Sequence, residues 1–193
     1  MSIYFVDFET TGLNPYHSSI IEYCFMDYNK SIDSLINPGF KFQAKIEEIT
    51  GITNKMVEES PRIENKKNEI CEFLNIYNCD CIYLVAHNNS NFDRFFFKYI
   101  FKNDMVIGPI LSSKVKYIDS IHLAKYLFPN VKSFNLKRLC NLFGIVPGEH
   151  RARSDTEALK NLFDRMLHIL SQKINVDYNI LLQNPKIIYD ILY

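Results

Sequence analysis

IYFVDFETTG, residues 3–12, is an apolar strand pattern that runs into two acidic residues and a turn. Side chains alternate between the two faces of a strand, so Ile3, Phe5, Asp7 and Glu9 share one face. Two residues of rise place the two carboxylates about 7 Å apart along the strand. At a strand end they repel each other and lose hydration unless a cation such as Mg²⁺ compensates. An Asp-x-Glu pair alone is also typical of a solvated strand end.

The rest of the pattern predicts an α/β domain with a mixed sheet. β-branched and aromatic runs predict strands over residues 3–7, 20–28, 31–37, 81–86 and 117–119. Apolar residues at helical spacing predict helices over residues 63–77, 92–100, 123–128, 136–143 and 156–170. Three strands in succession, followed by strands that alternate with helices, favour this fold class.

Composition places the chain among ordinary globular proteins. It has 193 residues, 47% of them hydrophobic, and a formal net charge of zero, so a nucleic-acid partner would need a local basic patch, metals or both. Only Cys79 and Cys81 of the five cysteines are close in sequence, and we see no disulfide framework. No segment predicts a membrane span or a signal peptide. We therefore expect an intracellular, by default cytoplasmic, protein without membrane contact.

A second cluster of polar residues is AHNNSNFD, residues 86–93, between an apolar strand and an aromatic helix. Asn91 fits the N-cap position, which puts Asp93 in the first turn of the helix. Helix-dipole complementarity alone could explain an acid there. His87 fits a structural residue at the end of a strand.

A third cluster is HRARSDTE, residues 150–157. Ser154 and Glu157 have capping-box spacing, which predicts a helix that begins near Asp155. Asp155 continues the apolar stripe of that helix, and a carboxylate on a buried stripe usually has a partner or a metal. His150 precedes the helix on a loop, where an exposed histidine without a special role is also common.

Three segments resemble, in order and context, the motifs of the DEDDh, or DnaQ-like, 3′→5′ exonucleases: DFETTGL (7–13), AHNNSNFD (86–93) and HRARSD (150–155). ITGIT (49–53) and SFNLKRLCNLFGI (133–145) resemble further stretches of that family. The resemblance covers roughly residues 3–170. It implies an RNase H-like α/β fold, with a five-stranded mixed sheet flanked by α-helices.

The resemblance also implies a mechanism and the residues that carry it. Asp7, Glu9, Asp93 and Asp155 are identified as ligands of two Mg²⁺ ions, for which Mn²⁺ substitutes, and Asp7 bridges both ions. His150 is identified as the general base, a task that suits an imidazole with a pKa of about 6.5. The implied reaction is hydrolysis of DNA or RNA from the 3′ end to nucleoside 5′-monophosphates.

Four positions match substrate-binding positions of the family: Thr10, Leu13, Asn88 and Phe92. Thr10 and Leu13 match those that meet the terminal nucleotide, by hydrogen bonding and by wedging against its base. The spacing from residue 87 to residue 93 is one residue longer than in the bacterial proofreading form and resembles the TREX-type form. Thr50 stands where many members have a histidine, a change expected to alter base stacking without removing catalysis.

A locally basic stretch suggests how phosphates could be held, although a set of solvated helix faces would look the same. The stretch contains Lys114, Lys116, Lys125, Lys132, Lys137, Arg138, Arg151 and Arg153. The expected partners are single-stranded DNA or RNA 3′ ends, with a polymerase or another protein as a possible further partner.

Residues 1–172 are assigned to the exonuclease domain. Residues 173–193 form an apolar extension that packs on the domain or on a partner; the sequence does not choose between the two. The competing function is a catalytically inactive module of the same fold that binds nucleic acid or a polymerase. Loss of acidic ligands is usual in such modules, whereas all five active-site positions are filled here.

Overall fold

The sheet of this protein is five-stranded and mixed. The computed structural model describes residues 2–193. The strands are Ser2–Thr10 (β1), Ile20–Met26 (β2), Ser31–Leu35 (β3), Ile82–Ala86 (β4) and Val115–Asp119 (β5). Their order is β3-β2-β1-β4-β5. β1 and β2 are antiparallel, as are β2 and β3, whereas β1 runs parallel to β4 and β4 parallel to β5. The predicted strands and the mixed sheet are confirmed.

Ten α-helices and one short 3₁₀ helix, Ile63–Lys66, connect and cover the strands within the described residues. The α-helices are Ala44–Thr50 (α1), Asn54–Val57 (α2), Lys67–Phe73 (α3), Asp93–Ile100 (α4), Ile107–Lys114 (α5), Ser120–Leu127 (α6), Leu136–Leu142 (α7), Ala152–Ile174 (α8), Tyr178–Gln183 (α9) and Lys186–Leu192 (α10). In residues 2–193, no helix combines the length and the apolar character that crossing a membrane requires.

The two faces of the sheet are covered by different helices. On β1, Tyr4, Val6 and Phe8 belong to a buried cluster that includes residues of α3, α4 and α5. Ile3 and Phe5 belong to the opposite cluster, which includes residues of α6, α7 and α8. The alternation predicted for β1 is therefore confirmed. The face of β1 that packs on α8 is apolar at the start of the strand and acidic at its end, where Asp7 and Glu9 lie.

The C-terminal segment packs on the second of these clusters. Leu181 of α9 and Ile188 of α10 are fully buried in it. The Tyr193 hydroxyl accepts a hydrogen bond from the backbone N–H of Asp119, at 3.0 Å. Burial of apolar side chains is the main favourable contribution to such docking, at about 25 cal/mol per Å². The segment thus contacts the end of β5.

Candidate active site

The acidic residues singled out from the sequence lie near the carboxyl end of β1. Asp7 and Glu9 are on β1 itself. The parallel neighbour β4 leads through residues 87–92 to Asp93, the first residue of α4. The next strand, β5, ends at Asp119. In open α/β sheets this edge, at the carboxyl ends of parallel strands, is the usual position of a ligand site.

Glu9, His150 and Asp155 meet at this edge. One potential ligand atom from each of the three side chains lies within 4.8 Å of those of the other two. His150 is exposed and has a φ of 55°, in the left-handed region that non-glycine residues seldom adopt. A Cβ on Gly148 would lie 1.9 Å from Asp155 Oδ1, so only a glycine lets the loop pass this close to the carboxylate.

Asp93 enters the site from the first turn of α4, as predicted, and its side chain is buried at 1% exposure. The predicted N-cap is wrong, because α4 begins after Phe92 without a side-chain cap. The Asn91 amide instead donates to Asn88 Oδ1 at 3.0 Å. Asn88 has a φ of 67°, which turns the chain back so that the two side chains meet. Asp93 Oδ1 is buried and has no hydrogen-bond partner in the described structure.

Helix α8 begins earlier than the sequence predicts. Its N-cap is Arg151, and Ser154 lies inside the first turn rather than before it. Ser154 Oγ donates to the carbonyl of Arg151 at 3.1 Å, and the expected capping box does not form. The reason is a cap from elsewhere in the chain: Glu22 Oε2 accepts from the N–H of Ala152 at 2.8 Å.

The carboxylates lie close enough together to perturb one another. Burial, followed by the charges of Asp93 and Glu9, raises the pKa of Asp7 well above its ordinary value. Burial, then Asp155, raises the pKa of Glu9 to about 8. Burial likewise raises the pKa of Asp93 far and that of Asp155 more modestly; in the case of Asp155, His150 opposes the rise. Such mutual effects are typical of like charges that share one site.

These side chains fit a site for divalent cations. Carboxylate oxygens are the ligands that Mg²⁺ prefers. The unpartnered oxygen of Asp93 would otherwise carry the cost of burying a polar atom without a hydrogen bond. The four raised pKa values indicate a deficit of positive charge, which cations would supply.

The four positions matched to substrate binding differ in exposure and in their contacts. Leu13 is 84% exposed on the loop after β1. Asn88 is also exposed, and its backbone N–H donates to Asp119 Oδ1 at 3.1 Å. Thr10 is buried, with its hydroxyl donating to the carbonyl of Gly12 at 2.7 Å. Phe92 is partly buried against Phe96, with 4.9 Å between ring centroids.

The basic stretch is less available than its sequence suggests. Arg151 is paired with Glu22 and Arg153 with Asp33, so both guanidinium groups already have carboxylate partners. Lys114 Nζ donates to the carbonyl of Ile76 at 2.9 Å. The exposed cations that remain are Lys116, Lys125, Lys132, Lys137 and Arg138.

One important residue, Glu22, was not singled out from the sequence. It lies within IIEYCFM, the fully buried strand β2, directly opposite Glu9 on β1. A single acid in an otherwise apolar buried run was the available signal, because such an acid almost always has a partner.

Thr50 is buried and donates to the carbonyl of Ile46 at 2.9 Å at the end of α1.

Comparison with known families and curated proteins gives concordant matches. Residues 4–163 match the family model RNase_T, described as exonuclease. The DNA polymerase III PolC-type of Bacillus subtilis (strain 168) is 32% identical over 173 residues, which is 86% of this chain and 11% of that protein. Its counterpart in Thermotoga maritima is 35% identical over 173 residues, or 86% of this chain and 12% of that protein. The chain thus spans only a small part of the length of these relatives.

Solved structures show the same fold. A structure of exonuclease I superposes with a TM-score of 0.72 at 17% identity, covering 95% of this chain and 43% of that one. Exonuclease X in complex with 5′ overhanging duplex DNA superposes with a TM-score of 0.64 at 23% identity, covering 86% and 91% of the two chains.

Proposed function

Since this chain belongs to the exonuclease family, in its DEDDh or DnaQ-like branch, we propose that it hydrolyses DNA or RNA from the 3′ end and releases nucleoside 5′-monophosphates. The observation that carries this proposal is the cluster of Asp7, Glu9, Asp93 and Asp155 at one edge of the sheet, with His150 beside two of them. The unpartnered oxygen of Asp93 fits a cluster that is complete only with cations.

We assign Asp7, Glu9, Asp93 and Asp155 as the residues that hold two Mg²⁺ ions, for which Mn²⁺ can substitute. When bound, such ions polarise a scissile phosphate and offset the negative charge that develops on its oxygens. Besides burial, the charges of Asp93, Glu9 and Asp155 all raise the pKa of Asp7, so this carboxylate would be the one most in need of cations. The protein contributes a fixed set of oxygen ligands from one strand and two helices.

His150 is the proposed general base. Its side chain reaches solvent and lies within 4.8 Å of Glu9 and Asp155, so an imidazole nitrogen can take a proton from an attacking water at this edge. Burial raises the pKa of Asp155 and His150 opposes that rise, so the two side chains lie close enough for the carboxylate to attract the positive charge that proton transfer creates. Leu13 and Asn88 offer exposed groups to a terminal nucleotide, and Thr10 and Phe92 line the same region from more buried positions.

Single-stranded 3′ ends are the proposed substrates, because unpaired bases can be splayed and stacked near such a site. The relatives named DNA polymerase III PolC-type make a polymerase a reasonable protein partner for this chain.

We assign residues 1–172 to the catalytic domain and residues 173–193 to an extension that packs on it, in keeping with the buried Leu181 and Ile188. An intracellular location is part of the same proposal.

A single-strand oligonucleotide labelled at its 5′ end tests the proposal. With Mg²⁺ we expect a descending ladder of labelled products, and with excess EDTA we expect none. Immediate release of a labelled mononucleotide would show the opposite polarity. Binding without any hydrolysis in Mg²⁺ or Mn²⁺ would identify an inactive binding module instead. Matched DNA and RNA oligonucleotides decide between the two substrates.

A further inference from the structure

Glu22 is a buried carboxylate that the proposed chemistry does not use. It is 4% exposed in the middle of β2, opposite Glu9 of β1. Burying a carboxylate beside another acid is unfavourable unless donors surround it. Its donors therefore show what it does.

All four hydrogen bonds to Glu22 come from three donor groups on two consecutive residues at the start of α8. Arg151 Nε lies 3.1 Å from each carboxylate oxygen of Glu22, and Arg151 Nη2 lies 2.6 Å from Oε1. The backbone N–H of Ala152 donates to Oε2 at 2.8 Å. The N-terminal N–H groups of a helix have no partner within the helix, and the N-cap residue Arg151 supplies no side-chain cap. Glu22 caps α8 from a strand that is 130 residues away in sequence.

The hydrogen bonds of Glu22 to Arg151 and Ala152, here called the Glu22 clamp, lie next in sequence to His150. His150 immediately precedes Arg151 and has a φ of 55°. A left-handed histidine is conformationally unfavourable, so its neighbours must hold it in place. The bidentate ion pair fixes the residue on one side of His150, and the tight passage of Gly148 past Asp155 fixes the loop on the other.

We infer that Glu22 and Arg151 are positioning residues, which together hold the His150 turn against Glu9 and Asp155. The inference rests on the proposed function for its kinetic consequence, since it assigns these two residues to the placement of the general base. Neither is assigned to contact with substrate or metal. Arg151 also offsets part of the negative charge that Glu22 adds beside the acidic cluster.

The first test needs no activity. Hydrogen exchange of the Ala152 amide should be slow in the wild-type chain and at least tenfold faster in Glu22→Ala. Asp33→Asn is the matched control, because it breaks the exposed pair with Arg153 on the same helix turn and leaves the Glu22 clamp intact. Unchanged exchange of Ala152 in Glu22→Ala would overturn the inference, whatever the outcome of nuclease assays.

The second test is kinetic and uses Glu22→Gln, which removes the charge with little change in volume. Misplacing a catalytic group by a fraction of an ångström to about 1 Å costs up to about a hundredfold in rate, so we expect kcat to fall about tenfold or more while KM stays within about threefold. Asp33→Asn should match the wild type. A rise in KM with unchanged kcat would instead indicate that the pair serves substrate binding, and would refute positioning.

Double variants show through which residue the effect acts. Adding Arg151→Gln to Glu22→Gln should lower kcat by less than about threefold more, because residues of one interacting unit are not additive. Glu22→Gln should likewise have less than about a threefold effect in a His150→Ala background. A full multiplicative loss in either background would contradict the inference. If the wild-type chain released no nucleotide at all, the proposed function would fail, while the exchange of Ala152 would still decide whether Glu22 holds the turn.

Discussion

In the metal-free protein above pH 8, replacing Glu9 by glutamine should stabilise the fold. Burial and the neighbouring Asp155 raise the pKa of Glu9 from 4.5 to about 8. At about 1.4 kcal/mol per pH unit, keeping this group ionised in the folded state costs about 5 kcal/mol. Solvent reaches part of the Glu9 side chain and screens its charge, so we expect about half of that, ~2–3 kcal/mol. For a chain of this size that amounts to a rise in Tm of roughly 5–10 °C.

The sign of the effect fixes its pH dependence. Below pH 4.5 the carboxyl group of Glu9 is protonated in both the folded and the unfolded chain, so the two proteins should be equally stable. Between pH 4.5 and about 8 the unfolded chain ionises while the folded chain keeps its proton, so the wild type loses stability as the pH rises. Above pH 8 the penalty is complete. The advantage of Glu9→Gln should therefore grow through this window and then level off.

Thermal unfolding between pH 4.5 and 9 in EDTA measures this directly, with the exposed Glu59→Gln as a control that should follow the wild type. With saturating Mg²⁺ the wild type should have the higher Tm, because it binds the metal more tightly than Glu9→Gln does and is therefore stabilised more. Equal Tm values for wild type and Glu9→Gln at pH 8.5 in EDTA, or an advantage largest at low pH, would falsify the reasoning.

Four further predictions concern the site. His150→Ala should lower the rate about 10²–10⁴-fold with Mg²⁺ affinity little changed by calorimetry; loss of metal binding would make His150 a ligand instead. Asp7→Ala should abolish hydrolysis in a chain that stays folded by circular dichroism, and normal turnover would refute its assignment. Gly148→Ala places a Cβ 1.9 Å from Asp155 Oδ1, so activity should fall at least about tenfold, and a fully active variant would show that the loop can move aside. Mg²⁺ binding at pH 7 should release protons and tighten with pH, because the pKa values of Asp7 and Glu9 are raised; calorimetry in buffers of different ionisation enthalpy detects the release, and its absence would contradict the raised values.

The strands could be predicted from sequence because their signals are local. The acidic residues were ambiguous one by one, and the resemblance of three ordered motifs to the DEDDh exonucleases identified them. Alternation along β1 depends only on neighbouring residues, and it correctly separates the face of Ile3 and Phe5 from that of Tyr4 and Val6. Apolar residues at helical spacing made α3, α4, α6, α7 and α8 equally visible. The sequence did not predict α1, α2, α5, α9 and α10, and packing on the rest of the chain contributes most of the stability of such short helices.

The features that escaped prediction depend on residues far apart in the chain. Ser154 has the right spacing for a cap, but Glu22, 130 residues from Ala152, takes that role and moves the start of α8. From the sequence, Arg151 and Arg153 are expected to be unpaired cations in a basic stretch. In the structure Glu22 pairs with Arg151 and Asp33, on the neighbouring strand, pairs with Arg153. A count of charges along the sequence cannot show such pairs, because pairing depends on which strands the fold brings beside the helix.

The acidic residues come from both sides of the sheet. Asp93 belongs to α4, which packs with one buried cluster, and Asp155 belongs to α8, which packs with the other. Local opening of part of a protein generally costs less free energy than global unfolding. Opening either layer would remove an acidic residue while the strands stay paired, so enzymatic activity in mild denaturant would be lost before the sheet itself comes apart.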